Sequence, residues 1–311
     1  MRTSSKFAAL AIALIAVAPL FGGPAQAATK KPVLKLLWHQ EFSGKAGQTP
    51  NSKIFNYDLG GDSGWGNLEH EAYVDDHAKT DGSKQGNLVI SATRYNPDLT
   101  SPGAPIYYTC PINTLGSACE FLSSRIQTNR NLAFQYGQIS ARIKVPEGDG
   151  VWPAFWLLGN DSDTNEWPNC GEIDIMETRG DQYPTNVVGT AHGPGYSGEN
   201  GIMNSMNTKS RTSAGYHVFS VIWAKNKIQW LVDDKVYHTV TPSVVGSGKS
   251  YVFNKPFFMI LNLAMGGNFV GGSIDPSLQS ASMSVDWIRY YSYNGVGKVT
   301  GTKAAIAAGK P

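Results

Sequence analysis

The chain has 311 residues, and its 26 lysines and arginines nearly balance its 24 aspartates and glutamates. A charged fraction of 16% and a hydrophobic fraction of 41% exclude a disordered chain and a strongly basic nucleic-acid-binding protein. The 11% of aromatic residues and the 34 glycines favour strands joined by tight turns. A β-sandwich of this length commonly forms one domain, so the length does not require two.

The first 27 residues are typical of a secretory signal peptide. Arg2 and Lys6 precede an uninterrupted apolar run over residues 7–18, and Ala25-Gln26-Ala27 follows as a small-x-small cleavage site. The run, at about a dozen residues, is too short to span a bilayer, which argues against the alternative of a retained membrane anchor. We therefore predict that residues 1–27 are removed and that the protein is secreted, extracellular or periplasmic, without a membrane attachment.

Strand-like segments follow one another from Lys35 to Tyr293, with no linker, charge block or repeat between them. Several of them alternate apolar and polar residues, and clusters of turn residues separate them. They are Gly86–Ala92, Gly137–Val145, Tyr216–Trp223, Lys227–Val232, Phe257–Leu263 and Met283–Tyr291. Lys225-Asn226-Lys227 and Asp233-Asp234-Lys235 predict hairpin turns. Residues 28–293 are therefore predicted to form one all-β domain, an antiparallel sandwich with long glycine-rich loops around one face.

The last eighteen residues, 294–311, have a different composition. They contain three lysines, no acidic or aromatic residue, and mostly Gly, Ala, Thr and Val. This composition predicts a flexible C-terminal tail. Without the signal peptide and this tail, 21 basic residues remain against 24 acidic ones, so the predicted domain is slightly acidic.

Three cysteines are present, an odd number. Cys110 and Cys119 lie nine positions apart in an apparent loop insertion, and in an exported protein they are predicted to close this loop as a disulfide. Cys170 precedes an acidic motif and is interpreted as a small buried hydrophobic residue. A nucleophilic role for Cys170 is not supported, because no activating histidine lies near it in the sequence.

Three acidic residues, Glu172, Asp174 and Glu177, lie within six positions of one predicted strand. Side chains alternate along a strand, so Glu172 and Asp174 share a face, and a β-bulge of one residue would bring Glu177 onto the same face. Retaining glycoside hydrolysis requires such a pair, a nucleophilic carboxylate and a carboxylic acid about 5–5.5 Å apart. The alternative is the acidic solvent face of an ordinary strand. The pattern alone leaves both interpretations open.

The motif Gly171-Glu-Ile-Asp-Ile-Met-Glu177 resembles the signature of glycoside hydrolase family 16, in the form with an extra residue before the second glutamate. Five further segments resemble that family in the same order, and together they cover about residues 37 to 293. They are Trp65–Glu69, Val151–Leu158, Thr190–Gly193, Asn262–Asn268 and Val285–Tyr291. The resemblance implies a β-jelly roll, similar to the concanavalin fold, with a concave sheet that forms a cleft for an extended polysaccharide.

Carried over by position, the resemblance makes Glu172 the nucleophile, Glu177 the general acid/base and Asp174 the assisting carboxylate. The sequence is most similar to bacterial laminarinases, which implies an endo-acting, monomeric β-1,3-glucanase that needs no cofactor for catalysis. It departs from them at Glu71, where glutamine is frequent, and at Phe269-Val270, where Trp-Pro is frequent. Alternatives within the family are a mixed-linkage β-1,3-1,4-glucanase, an agar or carrageenan hydrolase and a transglycosylase. A non-catalytic, lectin-like glucan-binding module is the alternative from another functional class.

Indole rings beside a carboxylate pair suit the apolar faces of sugar rings. Trp152 and Trp156 lie four positions apart and share a face of a regular strand, although one of them could instead belong to the core, and Trp167 lies in a polar loop before the catalytic strand. The other substrate-binding candidates come from the resemblance. They are Asn67 and Arg94 on the non-reducing side of the scissile bond, His192 near Glu177, and Glu69 and Asn262.

Many members of the family carry a structural calcium ion away from the cleft. The matching positions here are Glu41, Gly86 and Asp286. Oxygen ligands suit Ca²⁺, but no compact calcium-binding loop is present at these positions. Calcium binding at these positions is therefore a prediction that rests on the resemblance alone.

Overall fold

Two β-sheets account for nearly all regular structure in the computed structural model, which describes residues 31–95 and 119–311. Residues 33–311 form one compact unit. The predicted all-β class is confirmed, and no helix of the described residues is long and apolar enough to cross a membrane. The predicted signal peptide, residues 1–27, lies outside the described residues and stays a prediction.

Nineteen strands are present in the described residues, and short 3-10 turns and two short helices lie between or after them. The helices are α1 (Pro242–Val245) and α2 (Lys303–Ala308). The strands, in chain order, are β1 (Leu34–Gln40), β2 (Asn56–Asp58), β3 (Glu71–Tyr73), β4 (Ala78–Thr80), β5 (Leu88–Arg94), β6 (Phe121–Ser123), β7 (Arg125–Gln127), β8 (Leu132–Gln135), β9 (Gly137–Lys144), β10 (Val151–Gly159), β11 (Glu172–Glu177), β12 (Asn186–His192), β13 (Ile202–Asn207), β14 (His217–Ala224), β15 (Lys227–Val232), β16 (Lys235–Val240), β17 (Phe257–Met265), β18 (Ser280–Tyr293) and β19 (Lys298–Gly301).

The strands pair antiparallel, except that β3 and β6 are parallel. The front sheet runs β13-β12-β11-β10-β17-β7-β2, with β8 beside β17 and β19 beside β8. The back sheet runs β16-β15-β14-β9-β18-β5-β6-β3, with β1 beside β18 and β4 beside β5. The chain crosses between the two layers, for example from β9 in the back sheet to β10 in the front sheet and from β13 back to β14, as in a sandwich.

One hydrophobic core joins the two sheets. Trp223 of the back sheet packs edge-on against Phe257 of the front sheet, with ring centroids 5.4 Å apart. Trp38 of β1 packs in the same way against Phe134 of β8 at 5.5 Å. Buried aromatic rings contribute large apolar areas and therefore stabilise the face-to-face packing of the sheets.

The two predicted hairpins are confirmed. Ala224 pairs with Lys227 across the first turn, and Val232 pairs with Lys235 across the second. The turn residues Asn226, Asp233 and Asp234 have φ angles of 62°, 47° and 63°. Asn and Asp tolerate this left-handed region better than other residues with a side chain, which is why these positions turn the chain tightly.

The prediction of a flexible tail over residues 294–311 is wrong. Strand β19 pairs with β8, and α2 packs its fully buried Ala305 against the core. The Trp38 indole Nε1 donates a hydrogen bond to the Ala305 carbonyl oxygen at 3.3 Å. The small residues of this segment gave no hydrophobic signal in the sequence, yet they allow its backbone to approach the Trp38 ring closely. Pairing of β19 with β8 satisfies backbone N–H and C=O groups of the segment.

Candidate active site

Strand β11 contains the predicted β-bulge. Its pairing with β12 shifts register between Asp174 and Glu177, and its pairing with β10 shifts at the same place. Ile175 and Met176 are consecutive and both fully buried, so Glu177 returns to the face of Glu172 and Asp174. Beneath the bulge the buried Trp230 indole donates a 2.7 Å hydrogen bond to the Asp174 carbonyl oxygen, which fixes the irregular backbone.

The three carboxyl groups line a cleft of about 340 Å³ on the outer face of the front sheet. Its walls come from β10, β11 and β17, from β7, and from the loops around residues 65–69 and 167. The lining residues are Trp65, Gly66, Asn67, Glu69, Arg125, Trp152, Ala154, Trp156, Leu158, Trp167, Glu172, Asp174, Glu177 and Asn262. Trp152 and Trp156 thus both face the cleft, and the alternative that one of them is a core residue is wrong.

Hydrogen bonds and ion pairs hold the acids in a fixed arrangement. The Trp152 indole donates to Oε1 of Glu177 at 2.9 Å. His192, on β12, directs Nε2 to Oδ2 of Asp174 at 3.0 Å and to Oε1 of Glu172 at 3.7 Å. Glu172, Asp174 and His192 each offer a donor atom within 4.8 Å of the others, a spacing that could also hold a metal ion.

The acids prefer their protonated forms in this site. Burial, and then the Asp174 carboxylate, raises the pKa of Glu177 to about 8 and that of Glu172 to about 8. Burial also raises the pKa of Asp174 to about 7, although a hydrogen bond from Glu172 opposes this rise. A buried carboxyl group resists ionisation because its anion loses hydration, and neighbouring anions add to the effect. The cluster is therefore able to hold a proton for transfer near neutral pH.

A chain of hydrogen bonds orders the polar wall of the cleft away from the acids. Asn67 Nδ2 and the Tyr73 hydroxyl donate to the two carboxylate oxygens of Glu69, each at 2.9 Å. Asn262 Nδ2 donates to the Tyr73 hydroxyl oxygen at 3.0 Å, and the Trp156 indole donates to Asn262 Oδ1 at 2.8 Å. Asn67, Glu69 and Asn262, which the resemblance gave as substrate-binding candidates, therefore lie together in the lining of the cleft, and their role in binding stays a prediction.

Arg94 does not take the predicted place in the cleft. Its guanidinium is held outside the lining by the carbonyl oxygens of Leu278 and Asp275, at 2.9 and 3.2 Å, and by the Glu120 carboxylate at 3.1 Å. These three acceptors take three of its five N–H donors, and Arg94 braces the segments around it.

The arginine that does line the cleft is Arg125 of β7, which the sequence analysis missed. Its guanidinium carbon lies 4.6 Å from the Trp65 ring centroid and 4.8 Å from that of Trp156, and its Nε lies 2.8 Å from Asp58. The local sequence showed only the polar-apolar-polar alternation of Arg125-Ile126-Gln127. This alternation predicts a strand, but it does not predict which residues the Arg125 side chain contacts.

The remaining aromatic candidate, Trp167, is also at the site. Its ring centroid lies 6.2 Å from that of His192, and 47% of the residue is exposed. The exposed indole face borders the carboxyl cluster and can pack against a sugar ring.

The residues predicted to bind calcium do not fit the ion. Arg289 donates to both carboxylate oxygens of Glu41 at 2.9 Å, and Arg142 lies 2.5 Å from Oδ2 of Asp286. Each carboxylate is already neutralised by a guanidinium, so a cation would have to displace an arginine. Gly86 packs its backbone against Ser43 and supplies no side-chain ligand.

The cysteines divide into two kinds. Cys119 is buried and disulfide-bonded. Cys110 lies outside the described residues, so its pairing with Cys119 stays a prediction. Cys170 is a free, buried thiol, and burial raises its pKa to about 11, which keeps it protonated and unreactive at neutral pH.

Comparison with known proteins gives the same family that the motifs resemble. A model of the glycosyl hydrolases family 16 matches residues 70–289. A glucan endo-1,3-beta-glucosidase of Cryptopygus antarcticus is 34% identical over 276 residues, which cover 83% of this chain and 92% of that protein. The glucan endo-1,3-beta-glucosidase A1 of Niallia circulans is also 34% identical, over 277 residues and 83% of this chain, but the match spans only 38% of that protein.

Solved structures agree with the sequence relatives. The X-ray structure of an endo-beta-1,3-glucanase from Pyrococcus furiosus has a TM-score of 0.71 and 36% identity, and the match covers 84% of this chain and 95% of that one. The predicted jelly-roll sandwich is thereby confirmed.

Proposed function

This chain belongs to glycosyl hydrolase family 16 and is an enzyme that hydrolyses glycosidic bonds, and from that premise we propose that it is a secreted, retaining endo-β-1,3-glucanase. The bulge in β11 carries the proposal, because it brings Glu177 onto the face of Glu172 with Asp174 between them. The similarity to two glucan endo-1,3-beta-glucosidases supports the substrate class.

The proposed reaction is a double displacement. A carboxylate oxygen of Glu172 attacks the anomeric carbon, and the bond from this carbon to the leaving sugar oxygen breaks as Glu177 donates its proton to that oxygen. A water molecule then transfers a proton to the Glu177 carboxylate and attacks the anomeric carbon, which releases Glu172. The raised pKa of Glu177 supports its role as the acid, since it keeps the proton available near neutral pH.

Asp174 and His192 support the change of charge on the nucleophile. Glu172 must be ionised to attack, and Asp174, in hydrogen-bonding contact with it, can take up the proton that Glu172 gives up. His192 contacts both carboxyl groups and orients them. Neither residue bonds to the sugar in this scheme, so both are positioning residues.

A neutral polysaccharide suits the charge of the cleft. Arg125 is the basic residue among the described residues of the lining, and Asp58 pairs with it. A sulfated chain would need uncompensated cations along its path. This pairing supports β-glucan over carrageenan as the substrate, and the acids Glu172 and Glu177, both present, argue against a non-catalytic glucan-binding module.

Secretion and a monomeric state complete the proposal. The N-terminal apolar segment supports export, and the disulfide at Cys119 suits an oxidising compartment. We expect the N-terminal sequence of the mature protein to begin at Ala28 and its mass in solution to be that of one chain. A mature protein that begins at Met1 would contradict export by cleavage.

Nucleophile and acid roles are tested by azide rescue. We expect Glu172→Ala and Glu177→Ala each to lower laminarin hydrolysis by at least about 10³-fold, which is within the range of about 10²–10⁴-fold that a general acid or base contributes. With an activated aryl β-laminaribioside and azide, Glu172→Ala should yield the α-azide and Glu177→Ala the β-azide, because azide takes the place of the missing nucleophile in one and of water in the other. Products are identified by NMR, and the exposed Glu199→Ala serves as control.

The same anomer from both variants, or near-normal laminarin hydrolysis by either one, would overturn the role assignment. Substrate class is tested by comparing initial rates on laminarin, lichenan, agarose and carrageenan. We expect laminarin to be cleaved fastest, and a faster rate on lichenan would make the enzyme a mixed-linkage glucanase.

A further inference from the structure

Three potential metal ligands converge at the floor of the cleft, on the adjacent strands β11 and β12. Glu172 is paired directly with His192 across these strands, and Asp174 lies two positions further along the same face. Nε2 of His192 lies 3.0 Å from Oδ2 of Asp174 and 3.7 Å from Oε1 of Glu172. One donor atom of each residue lies within 4.8 Å of the other two, so one imidazole nitrogen and two carboxylate oxygens face the same small volume.

These distances suit a zinc ion. Zn²⁺ binds histidine nitrogen at about 2.0–2.1 Å and carboxylate oxygen at about 2.0–2.2 Å, usually in tetrahedral geometry. Ligand atoms at the corners of such a tetrahedron lie about 3.4 Å apart. The two separations from Nε2 of His192, 3.0 and 3.7 Å, lie on either side of that value. Small side-chain rotations would therefore seat the ion, and the two carboxylates would balance its two positive charges.

An unsatisfied oxygen of Asp174 points to a ligand independently of these distances. Asp174 is only 4% exposed, and its Oδ2 accepts no hydrogen bond from any described residue, although Nε2 of His192 lies 3.0 Å away. A contact this short that is not a hydrogen bond means that the N–H direction of the ring misses the oxygen. Buried polar atoms nearly always have a partner. An ion between Nε2 and Oδ2 would satisfy both atoms at once.

The ligands are held in place without an ion. A Cβ atom added to Gly201 would lie 2.5 Å from Cε1 of His192, so the imidazole packs directly on the backbone of Gly201. The hydrogen bond from Trp230 to the Asp174 carbonyl oxygen fixes the backbone on the other side. Glu172 and Asp174 line the cleft, which gives an ion a path of entry and leaves a fourth coordination position open to water.

We propose that Glu172, Asp174 and His192 bind a zinc ion, and that the bound ion reversibly blocks hydrolysis. The binding follows from the donor atoms, whereas the inhibition rests on the proposed function, in which Glu172 attacks the anomeric carbon. A carboxylate oxygen that coordinates the ion is not free to attack. The ion also occupies the floor of the cleft where the scissile bond would lie, so the ion and the glucan exclude each other.

The donor set favours zinc over the common hard cations. Ca²⁺ takes six to eight oxygen ligands, and Mg²⁺ requires near-octahedral oxygen coordination. One nitrogen, two oxygens and one open position suit Zn²⁺ instead. We therefore expect neither Ca²⁺ nor Mg²⁺ to bind at this site.

Binding is tested by calorimetric titration, which does not depend on activity. The mature enzyme is treated with EDTA, dialysed free of the chelator and titrated with ZnCl₂, CaCl₂ or MgCl₂. Asp174→Asn and His192→Gln each weaken one ligand at nearly unchanged shape, and thermal melts check that each variant folds, so that either one alone suffices. His217→Gln is the matched control, because Nδ1 of His217 lies 2.7 Å from Asp233 in a histidine-carboxylate pair away from the cleft.

We expect the wild type and His217→Gln to bind one Zn²⁺ per chain with affinities within about twofold of each other. Each ligand variant should bind it at least about 100-fold more weakly, because loss of an outer-shell partner alone costs about 10–100-fold. In initial-rate measurements on laminarin, Zn²⁺ should act as a competitive inhibitor. At a free ion concentration ten times its Kd it should raise the KM about tenfold and leave kcat unchanged, and EDTA should restore the rate.

Equal zinc affinity in the wild type and the folded ligand variants, or no stoichiometric binding by the wild type, would overturn the site. Binding that leaves the KM for laminarin unchanged would overturn the inhibition. A metal-free wild type that hydrolyses none of the glucans would instead refute the proposed function, and the ligand dependence of the titration would still decide the zinc site.

Discussion

Glu71 is a fully buried acid that lies under the polar wall of the cleft. The Met265 backbone N–H donates to its Oε2 at 2.7 Å. Burial, and then the charge of the neighbouring Glu69, raises the pKa of Glu71 well above its usual value of 4.5. The folded protein therefore favours the protonated form of Glu71, and the neutral acid can donate a hydrogen bond to Glu69.

Glu71→Gln should stabilise the enzyme at alkaline pH. The folded-state pKa of Glu71 is raised, so the stability that its protonated form contributes is fully present below about pH 4.5 and is lost as pH rises through the folded pKa. Glutamine stays neutral and has the same shape, so the variant avoids this loss. We expect its Tm at pH 8 to exceed that of the wild type by at least about 2 °C, with the difference shrinking toward pH 4.5.

Thermal melts between pH 4.5 and 9 check this, with the exposed Glu199→Gln as the control that should show no such trend. A variant that melts below the wild type at pH 8 would show instead that the fold needs an ionised Glu71.

At the scale of single residues, the sequence predicted the placement of those site residues whose position depends only on the alternation of side chains along one strand. Glu172, Asp174 and Glu177 were placed on one face because strand period and a single bulge decide it. Arg125 was missed because its position depends on contact between segments far apart in the chain. Trp65 lies on a loop and Trp156 on another strand, and no local pattern indicates that their rings enclose one guanidinium.

At the scale of elements, hairpins and long strands were predictable because their signals are local. The C-terminal strand and helix were not, because their stability comes from what they pack against. Gly309 shows this, since a Cβ atom placed there would lie 2.1 Å from Nε1 of Trp38. Its φ of −122° is open to any residue, so close packing alone restricts the position to glycine.

Gly309→Ala should therefore destabilise the protein. Overpacking of a well-packed site costs about 1–3 kcal/mol, which at this size lowers Tm by at least about 2 °C. Gly215→Ala is the matched control, because Gly215 has extended backbone with φ −159° and no neighbouring atom within 4 Å of an added Cβ. Differential scanning calorimetry compares the two variants. Equal Tm values would mean that the C-terminal segment does not pack on Trp38 in solution.

At the scale of the whole molecule, the front sheet carries the chemistry and the back sheet supports it. Residues from five strands of the front sheet form one row across the substrate path, Arg125, Asn262, Ala154, Glu177 and Val188, each paired with the next. Strand order sets this row, and a single sequence without its resemblance to family 16 contains no information on that order. The resemblance predicted the sandwich and the cleft, whereas the row of paired residues came only from the pairing of strands.

The back sheet holds arginine-carboxylate pairs at the positions where calcium was predicted. Glu41, just after β1, pairs with Arg289 of β18 through two hydrogen bonds, and Arg142 of β9 pairs with Asp286 of β18. The pairs therefore link the first strand and β9 to the longest strand of the sheet. The Arg289 guanidinium also lies 4.2 Å from the Trp287 ring centroid, which fixes its orientation.

We therefore expect stability to depend on these arginines and not on a divalent ion. Treatment with EDTA, followed by dialysis, should change Tm by less than about 1 °C, and added Ca²⁺ should not raise it. Arg289→Met should lower Tm by up to about 2–4 °C, because a partly exposed ion pair contributes at most about 1 kcal/mol. Arg130→Met, which breaks an ion pair with Asp163 between highly exposed side chains, should have no measurable effect. A loss of Tm in EDTA that Ca²⁺ reverses would mean that Glu41 and Asp286 release their arginines to bind the ion.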